Sequence, residues 1–177
     1  MYLIKATEKE RLKNIKTLYK SAFPKSERKP FSMILSLLKK GVMEIFSIEN
    51  ESKHFCGLMI LIFHKDIVLL DYLAVSENMR DKGIGSYALA LLNEKYPDKR
   101  IILEIESTLR DTPDKDIRRR RLDFYLKNNM VVMEYEVDLF GVIMQILTNG
   151  KEILFSEYRE IFETIFSYSV AKRVKKI

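Results

Sequence analysis

The sequence predicts a mixed α/β protein whose central, mostly antiparallel sheet of about seven strands is flanked by helices. The chain has 177 residues, 47% of them hydrophobic, which suits one domain with a substantial core, so residues 1–177 are expected to form a single domain. Between residues 42 and 75 the hydrophobic pattern has the period of strands and is interrupted by hairpin turns. The segment 69–106 has the pattern strand, helix, strand, which predicts a parallel pair within the sheet.

Two helices are predicted after a short first strand at residues 2–6. Thr7 and Glu10 have the spacing of a capping box, and apolar residues recur at helical intervals after them. Two prolines bracket the segment FPKSERKPF, and a second apolar helical pattern follows it. That second helix can end at Gly41 in a left-handed conformation.

The remaining elements follow from the same periodicities. Three strands of an antiparallel meander are predicted, VMEIFSIE, HFCGLMILIFH and IVLLDYLAV. A helix ending at Pro97 leads to the buried strand RIILEIES, and a further helix leads to two strands, VVMEYEV and GVIMQILT. The last apolar residues recur with a period of 3.6 and predict a C-terminal amphipathic helix that ends the chain; they are Leu154, Phe155, Tyr158, Ile161, Phe162, Ile165 and Phe166.

Composition and charge limit the classes of partner. Lys and Arg number 31 against 25 Asp and Glu, and this net charge of +6 favours anions only mildly, so a nucleic-acid partner is not expected. Cys56 is the only cysteine, which excludes a disulfide framework and fits a buried side chain in a reducing cytoplasm. No run approaches the ~20 apolar residues of a membrane span. His54 and His64 lack further ligands at suitable spacing, so no metal site is expected.

The segment RDKGIGS, Arg80 to Ser86, lies between the strand ending LAV and a helical pattern. At such a junction several backbone N–H groups lack intrahelical partners, and the aligned peptide dipoles add partial positive charge, which favours phosphate. Gly83 and Gly85 would let the backbone approach phosphate oxygens. The spacing fits neither the dinucleotide fingerprint nor a P-loop, and two glycines before a helix are as often structural.

Two motifs resemble those of a known family. The residues Arg80 to Gly85 reproduce the signature R/Q-x-x-G-x-G/A, and LDFYLKNNM resembles the helix end FYxxxGF. On these motifs the chain resembles the GNAT superfamily of acetyl-CoA-dependent N-acetyltransferases over nearly its whole length, which implies the GNAT fold with an added C-terminal helix and acetyl-CoA as acyl donor. The resemblance assigns cofactor contacts to the backbone around Leu73 and Val75, for the acetyl carbonyl and pantetheine arm, and to the loop amides that hold the pyrophosphate: Arg80, Asp81, Lys82, Gly83, Ile84, Gly85 and Ser86.

The chain departs from the family pattern at two places. Asn129 and Met130 stand where members usually have Gly and Phe, and Asn is the next best residue for a left-handed helix cap. Arg118 stands where many members have an Asn that touches the cofactor arm, and its guanidinium could reach a phosphate instead. The run from Arg118 to Arg121 could also contact nucleic acid, but one helical turn spreads four residues over all faces, which favours a mixed surface and cofactor role.

The resemblance also implies catalytic candidates. Tyr125 matches the family's general acid, and its alternative role is that of a core aromatic residue. Glu104 matches a base of some members, acting directly or through water, and its alternative role is a buried ion pair. Glu106 lies on the same strand face. A strand N–H near Leu73, left free of the ladder by a bulge, would stabilise the oxyanion.

Acceptor recognition is assigned to Glu27, because the loop FPKSERKPF resembles the substrate-side segment of GNAT enzymes. A carboxylate there would attract a cationic amine, from a small molecule or a peptide; as a surface charge it would have no role. Because no set of Ser, His and Asp suggests a covalent acyl-enzyme, direct transfer in a ternary complex is favoured.

Two other functions remain open from the sequence. A GNAT-like fold could hold coenzyme A as a sensor or assembly module without chemistry. A nucleic-acid-binding protein could use the arginine run together with AKRVKK at residues 171–176. The apolar face of the C-terminal helix could pack on the sheet or on another subunit, as in a homodimer.

Overall fold

The computed structural model describes residues 1–177. The strands are β1 (Tyr2–Lys5), β2 (Met43–Glu49), β3 (Phe55–His64), β4 (Ile67–Val75), β5 (Arg100–Glu106), β6 (Val131–Leu139), β7 (Val142–Thr148) and β8 (Val174–Lys176). The helices are α1 (Lys9–Ala22), α2 (Phe31–Lys39), α3 (Ile84–Lys95), α4 (Lys115–Lys127), α5 (Phe155–Ile165) and α6 (Tyr168–Ala171), and a 3₁₀ turn covers Glu77–Met79.

The strands form one mixed sheet in the order β1-β2-β3-β4-β5-β7-β6-β8. The pairs β1/β2, β2/β3, β5/β7, β6/β7 and β6/β8 are antiparallel, whereas β4 and β5 are parallel. The predicted fold class is therefore confirmed, with eight strands instead of about seven.

The additional strand is β8, which follows α5 and α6. Its partner is β6, with Val137 opposite Lys176 and Leu139 opposite Val174. Only Val174 of its three residues is buried, and the two lysines are exposed, so the segment carries too short a pattern to be recognised in sequence. The amphipathic helix predicted at the C-terminus is α5, but it does not end the chain.

Two compact units can be distinguished. The first unit comprises Met1–Phe63 and Leu70–Pro97, and the second unit comprises His64–Leu69 and Asp98–Ile177. The assignment of residues 1–177 to one domain stays a prediction.

The core of the first unit is built on β2 and β3, which are buried along almost their whole length. Strands buried on both faces show a continuous apolar run in place of alternation, as HFCGLMILIFH largely does. The helices add fully or nearly fully buried side chains to this core: Ile15 and Tyr19 from α1, Ile34 and Leu37 from α2, and Ala88, Leu89 and Leu92 from α3.

Of the two helix ends predicted in the first unit, the start of α1 is wrong and the end of α2 is confirmed. The helix α1 has Glu8 as its N-cap residue, without a side-chain capping bond, so the capping box of Thr7 and Glu10 is wrong. Because the helix begins one residue later, the third helical position is Arg11, whose guanidinium pairs with Glu8 at 2.7 Å. At the end of α2, Gly41 has a φ of +73°, as predicted.

The second unit contains the parallel junction of the sheet. Ile67 lies opposite Arg100 and Leu69 opposite Ile102. Arg100 also makes paired contacts of 2.7–3.0 Å to each of the carboxylates of Asp66 and Glu157, so one side chain joins the beginnings of β4, β5 and α5. The apolar face of α5 buries Tyr158, Ile161 and Phe162.

Candidate active site

The loop between β4 and α3 places a row of backbone donors ahead of a helix in the first unit. The 3₁₀ turn ends at Met79, and α3 begins at Ile84. The first turn of the helix is closed by the Tyr87 N–H, which donates to the Gly83 carbonyl at 3.0 Å. None of the six amide groups of residues 81–86 donates to a protein acceptor. This row of unpaired N–H groups at the positive end of a helix is suited to an anion with several oxygens.

Backbone torsions shape this loop. Asp81 has a φ of +61° and Gly83 a φ of +72°. A Cβ placed on Gly83 would meet no atom within 4 Å, so packing inside the protein does not require glycine there. Its requirement comes from the left-handed torsion, and its open surroundings leave the backbone accessible.

The charges of the loop are exposed and mostly positive. Lys82 donates its ammonium to the Asn78 carbonyl at 2.9 Å, and Arg80 lies 3.5 Å from the Val75 carbonyl. Asp81 is the one carboxylate in the segment. The two cations add to the positive potential of the helix start.

The end of β4 holds Leu73 and Val75, both half-buried. Next to it, Gly57 of β3 allows a close approach, because a Cβ on this glycine would lie 2.4 Å from the Ala74 carbonyl oxygen. Sequence reasoning did not single out Gly57, although a glycine within an apolar strand is a known signal of close backbone approach. The bulge near Leu73 stays a prediction.

In the second unit, Tyr125 lies on α4 with its ring at 66° to that of Phe124. The residue keeps some exposure, yet its hydroxyl makes no hydrogen bond to the protein. Desolvation raises the pKa of Tyr125 to about 12, against the opposing effect of the Arg121 cation. The phenol is protonated at neutral pH, as it would be with the ordinary tyrosine pKa of about 10, and its hydroxyl can donate to a ligand. Asn129, with a φ of +61°, adopts the predicted left-handed conformation after this helix.

Glu104 lies half-buried on β5, opposite Ile146 of β7. Its Oε1 accepts a hydrogen bond of 2.6 Å from the hydroxyl of Tyr158, a fully buried residue of α5. Sequence reasoning assigned Tyr158 only to the apolar face of the C-terminal helix, because periodicity does not reveal where a phenolic oxygen points. The contact fixes one oxygen of the carboxylate that was predicted to act as a base.

Glu106, two residues further along β5, has a different environment. Its carboxylate pairs with Arg118 at 2.9 Å and with Arg121 at 3.4 Å. Arg118 also pairs with Asp114 at 2.9 Å, so a contact of Arg118 with phosphate would require these ion pairs to break. Arg118 and Arg121 thus make ion pairs, whereas Arg119 and Arg120 are exposed, and the mixed surface and cofactor role of the run stays a prediction.

Glu27 is an exposed residue of the loop between α1 and α2. Its backbone carbonyl accepts a hydrogen bond of 2.9 Å from the Tyr72 hydroxyl, which itself accepts one of 3.1 Å from the Lys29 amide. The Tyr19 hydroxyl donates to the Lys29 carbonyl at 3.0 Å. Two tyrosines therefore fasten the loop by its backbone, in addition to the prolines that the sequence pointed to.

The side chains of the structure do not form a metal centre, and its helices are not of the membrane-spanning type. No group of three or more His, Cys, Asp or Glu side chains is arranged to hold a metal ion. None of the helices has the length and apolar character needed to cross a bilayer. Cys56 is buried.

Part of the chain is similar in sequence to a known protein. No family model matches the chain. Over 109 residues, 60% of this chain, it is 33% identical to a Bacillus subtilis (strain 168) protein named "Putative acetyltransferase YjbC". The matched region is 51% of that protein, so the chain spans about half the length of this curated relative.

Several solved structures share the fold. A protein named "Putative acetyltransferase from GNAT family from Bacteroides thetaiotaomicron" superimposes with a TM-score of 0.75 at 17% identity, covering 96% of this chain and 97% of that one. An aminoglycoside 6'-N-acetyltransferase complexed with coenzyme A gives 0.68 at 13% identity, covering 84% and 96%. A Vibrio cholerae spermidine N-acetyltransferase in complex with CoA and spermine gives 0.63 at 15% identity, covering 89% and 96%. The fold implied by the sequence resemblance is confirmed.

Proposed function

We propose that this chain, which has the GNAT fold, is an N-acetyltransferase that moves the acetyl group of acetyl-CoA to a primary amine. The observation that carries the proposal is the row of six unpaired amides from Asp81 to Ser86 at the start of α3. A diphosphate offers several acceptor oxygens and negative charge to such a row. Arg80 and Lys82 add positive charge at the same loop.

The residues present fit acetyl-CoA as a substrate. The amides of residues 81–86 would hold the pyrophosphate, and the backbone around Leu73 and Val75 would hold the pantetheine arm. The open surroundings of Gly83 leave its backbone accessible to phosphate oxygens. Acetyl-CoA supplies the activated acetyl thioester.

Tyr125 is the proposed general acid. A thiolate leaving group needs a proton, and the phenol of Tyr125, whose pKa is raised to about 12 by burial, carries one at neutral pH as an ordinary tyrosine also does. Its hydroxyl has no acceptor within the protein, so donation to a substrate atom breaks no existing hydrogen bond. The hydroxyl without a protein acceptor supports an acid better than a core aromatic residue, whereas the raised pKa follows from burial in either role.

Glu104 is the proposed base. An ammonium group must lose a proton before its nitrogen can attack, and a carboxylate can take that proton directly or through water. The hydrogen bond from Tyr158 orients the Glu104 carboxylate, whereas Glu106 is neutralised by Arg118 and Arg121. The ion pairs of Glu106 favour Glu104 for this role. The amine then attacks in a ternary complex, without an acyl-enzyme.

An amine acceptor is supported by the structural neighbours and by charge. One neighbour is named for aminoglycosides and another is in complex with spermine, both polycationic amines. The exposed Glu27 lies on a loop that tyrosine hydroxyls fasten in place. A fixed carboxylate on that loop would attract a cationic acceptor.

Two measurements, made one after the other, test the proposal. Calorimetry with coenzyme A should detect binding, and its absence would overturn the phosphate loop and the enzyme together. Thiol release from acetyl-CoA should then depend on an added amine, in a panel of polyamines, aminoglycosides, amino acids and peptides. Binding of coenzyme A without thiol release from any amine would instead support a non-catalytic coenzyme A module.

A further inference from the structure

Asp71 is a carboxylate within the apolar strand β4, and sequence reasoning did not single it out. Its side chain is only 4% exposed. Oδ1 accepts a hydrogen bond of 2.6 Å from the Lys29 ammonium, but the buried Oδ2 has no hydrogen-bond donor in the protein. Burying a charged oxygen without a partner is costly, so such an oxygen indicates a site that is incompletely filled.

The Lys29 ammonium lies in a site with two components. Besides the contact with Asp71, the nitrogen lies 5.2 Å from the centroid of the Tyr72 ring, within the range of a cation–π interaction. A carboxylate beside an aromatic ring is a combination that binds primary ammonium groups. The Lys29 side chain is 25% exposed and that of Asp71 is 4% exposed, so a partly exposed side chain delivers its ammonium to a buried carboxylate.

The contrast with another ion pair of the chain supports this interpretation. Arg100 contacts both oxygens of Asp66, which leaves that carboxylate fully paired. Lys29 reaches one oxygen of Asp71 while its backbone is held by Tyr19 and Tyr72. An ammonium that is not tied to this loop can centre itself between Oδ1 and Oδ2 and satisfy both.

We propose that Asp71 and the ring of Tyr72 form a binding site for a primary ammonium group, which Lys29 fills in the ligand-free chain and which a cationic ligand occupies by displacing it. The site itself needs no enzymatic activity. Its assignment as the acceptor's ammonium site rests on the proposed acetyltransferase function, and it makes Lys29 an internal competitor of the acceptor.

Chemical rescue tests the site without acetyl transfer. Lys29→Ala removes Cγ, Cδ, Cε and the ammonium nitrogen of the lysine side chain, and n-propylammonium has the same three carbons and ammonium group. We expect n-propylammonium to raise the melting temperature of Lys29→Ala in a saturable way. In the double variant Lys29→Ala/Asp71→Asn, which also lacks the carboxylate, the apparent Kd of n-propylammonium should be weaker by about tenfold or more, the effect of losing one charge-assisted contact. Lys25→Ala is the matched control, since Lys25 is exposed and makes no ion pair, and neutral n-propanol controls for the alkyl chain. If Lys25→Ala with n-propylammonium, or Lys29→Ala with n-propanol, showed the same rise in melting temperature as Lys29→Ala with n-propylammonium, the site would be overturned.

A measurement on the unmodified chain covers the case in which Lys29→Ala does not fold. Limited labelling with an amine-reactive acetylating reagent, read by mass spectrometry, should modify Lys29 more slowly than Lys25. Because n-propylammonium is itself an amine and consumes part of the reagent, the readout is the ratio of the Lys29 rate to the Lys25 rate in the same sample. Saturating n-propylammonium should raise this ratio at least about threefold, because a displaced ammonium is accessible and less stabilised in its charged form. An unchanged ratio would overturn displacement.

Kinetics with an acceptor found in the amine panel separates this inference from the proposed function. Asp71→Asn should raise the acceptor KM about tenfold, whereas Lys29→Met should lower it, and the KM for acetyl-CoA should hold in both. A structural ion pair would predict the same direction for both variants, and that result would overturn the inference while leaving the acetyltransferase intact. If acetyl-CoA did not bind, the proposed function would be overturned, and the ammonium site would still be tested by the rescue experiment with n-propylammonium.

Discussion

At the scale of single residues, two tyrosine hydroxyls of the chain have different environments. Tyr125 has a hydroxyl without a protein acceptor, and its pKa is raised to about 12. Tyr158 is fully buried and gives its hydrogen bond to Glu104. The first is suited to donate a proton to a substrate, and the second to hold a carboxylate that accepts one.

Tyr125→Phe should reduce kcat by roughly 10²- to 10⁴-fold, the usual contribution of one acid or base group, because it removes the proton donor and keeps the ring. The affinity for coenzyme A should not change, since the contacts proposed for coenzyme A are backbone groups. Stopped-flow thiol release under single-turnover conditions measures the chemical step. A wild-type rate in the variant would assign Tyr125 to the core alone.

In the wild type, the raised pKa predicts no loss of activity from Tyr125 between pH 7 and 10.

Tyr158→Phe tests the positioning of Glu104 by a readout other than stability. The hydrogen bond favours the ionised carboxylate, so its loss should move the acidic limb of the kcat/KM profile to higher pH, by roughly one unit. The plateau at high pH should fall much less. Phe162→Leu, another change on the buried face of α5, is the matched control and should leave the limb in place. If the acidic limb of the kcat/KM profile did not move in Tyr158→Phe, Tyr158 would have no role in the mechanism.

At the scale of elements, most of the fold could be predicted because each element carries its own period. The strand β3 shows an almost continuous apolar run, and α5 shows a 3.6 period. The strand β8 was missed because three residues carry too little pattern. The helix α1 begins one residue later than the capping box predicted, with Glu8 as its N-cap residue. Hydrogen bonds between distant elements, such as that of Tyr158 with Glu104, leave no trace in periodicity.

The loop before α3 is tested by Gly83→Glu. The Cβ has open space, so the fold should persist apart from the torsional strain of a side chain at a φ of +72°, about 1 kcal/mol. The carboxylate would stand beside the unpaired amides and should weaken coenzyme A binding at least about tenfold by repulsion. Gly41→Glu is a matched control, since Gly41 has a φ of +73° and equally open surroundings. Calorimetry giving the same affinity for both variants would leave the glycines as turn residues only.

Gly57→Ala tests the close approach of β3 to the end of β4. The added methyl group would lie 2.4 Å from the Ala74 carbonyl oxygen, so the strands must separate, at a cost of about 1–3 kcal/mol. Because the backbone around Leu73 and Val75 is proposed to hold the pantetheine arm, the KM for acetyl-CoA should rise as well. Chemical denaturation and steady-state kinetics measure the two effects. A destabilised variant with an unchanged KM would separate Gly57 from the cofactor backbone.

At the scale of the whole molecule, sequence motifs predicted the fold and the loop of unpaired amides but not the ammonium site. The signature from Arg80 to Gly85 is local, and so is the left-handed turn at Asn129. The environment of Asp71 depends on Lys29, which is 42 residues away in the chain. A carboxylate in an apolar strand signals a partner or a task, and only the structure shows that one of its oxygens lacks a donor.

The last prediction concerns the pH dependence of stability. Arg100 lowers the pKa of both Asp66 and Glu157, chiefly through its hydrogen bonds to them. A carboxyl group whose folded pKa is lowered stabilises the fold above its unfolded pKa and loses this contribution as the pH falls through the folded value. Arg100→Met should therefore lower the melting temperature most at pH 6–7, and the difference from wild type should shrink as the pH falls below the ordinary carboxyl range, about 4.

The same substitution at Arg119, which is exposed and makes no ion pair, provides the matched control. Arg119→Met should change the melting temperature little at any pH, because an exposed charge without a partner contributes little to stability. Calorimetric scans of the three proteins between pH 2 and 7 compare the slopes directly. If the Arg100→Met difference did not shrink with falling pH, the contribution of Arg100 would lie in the packing of its side chain and in its bond to the Glu152 carbonyl, and not in the two carboxylates.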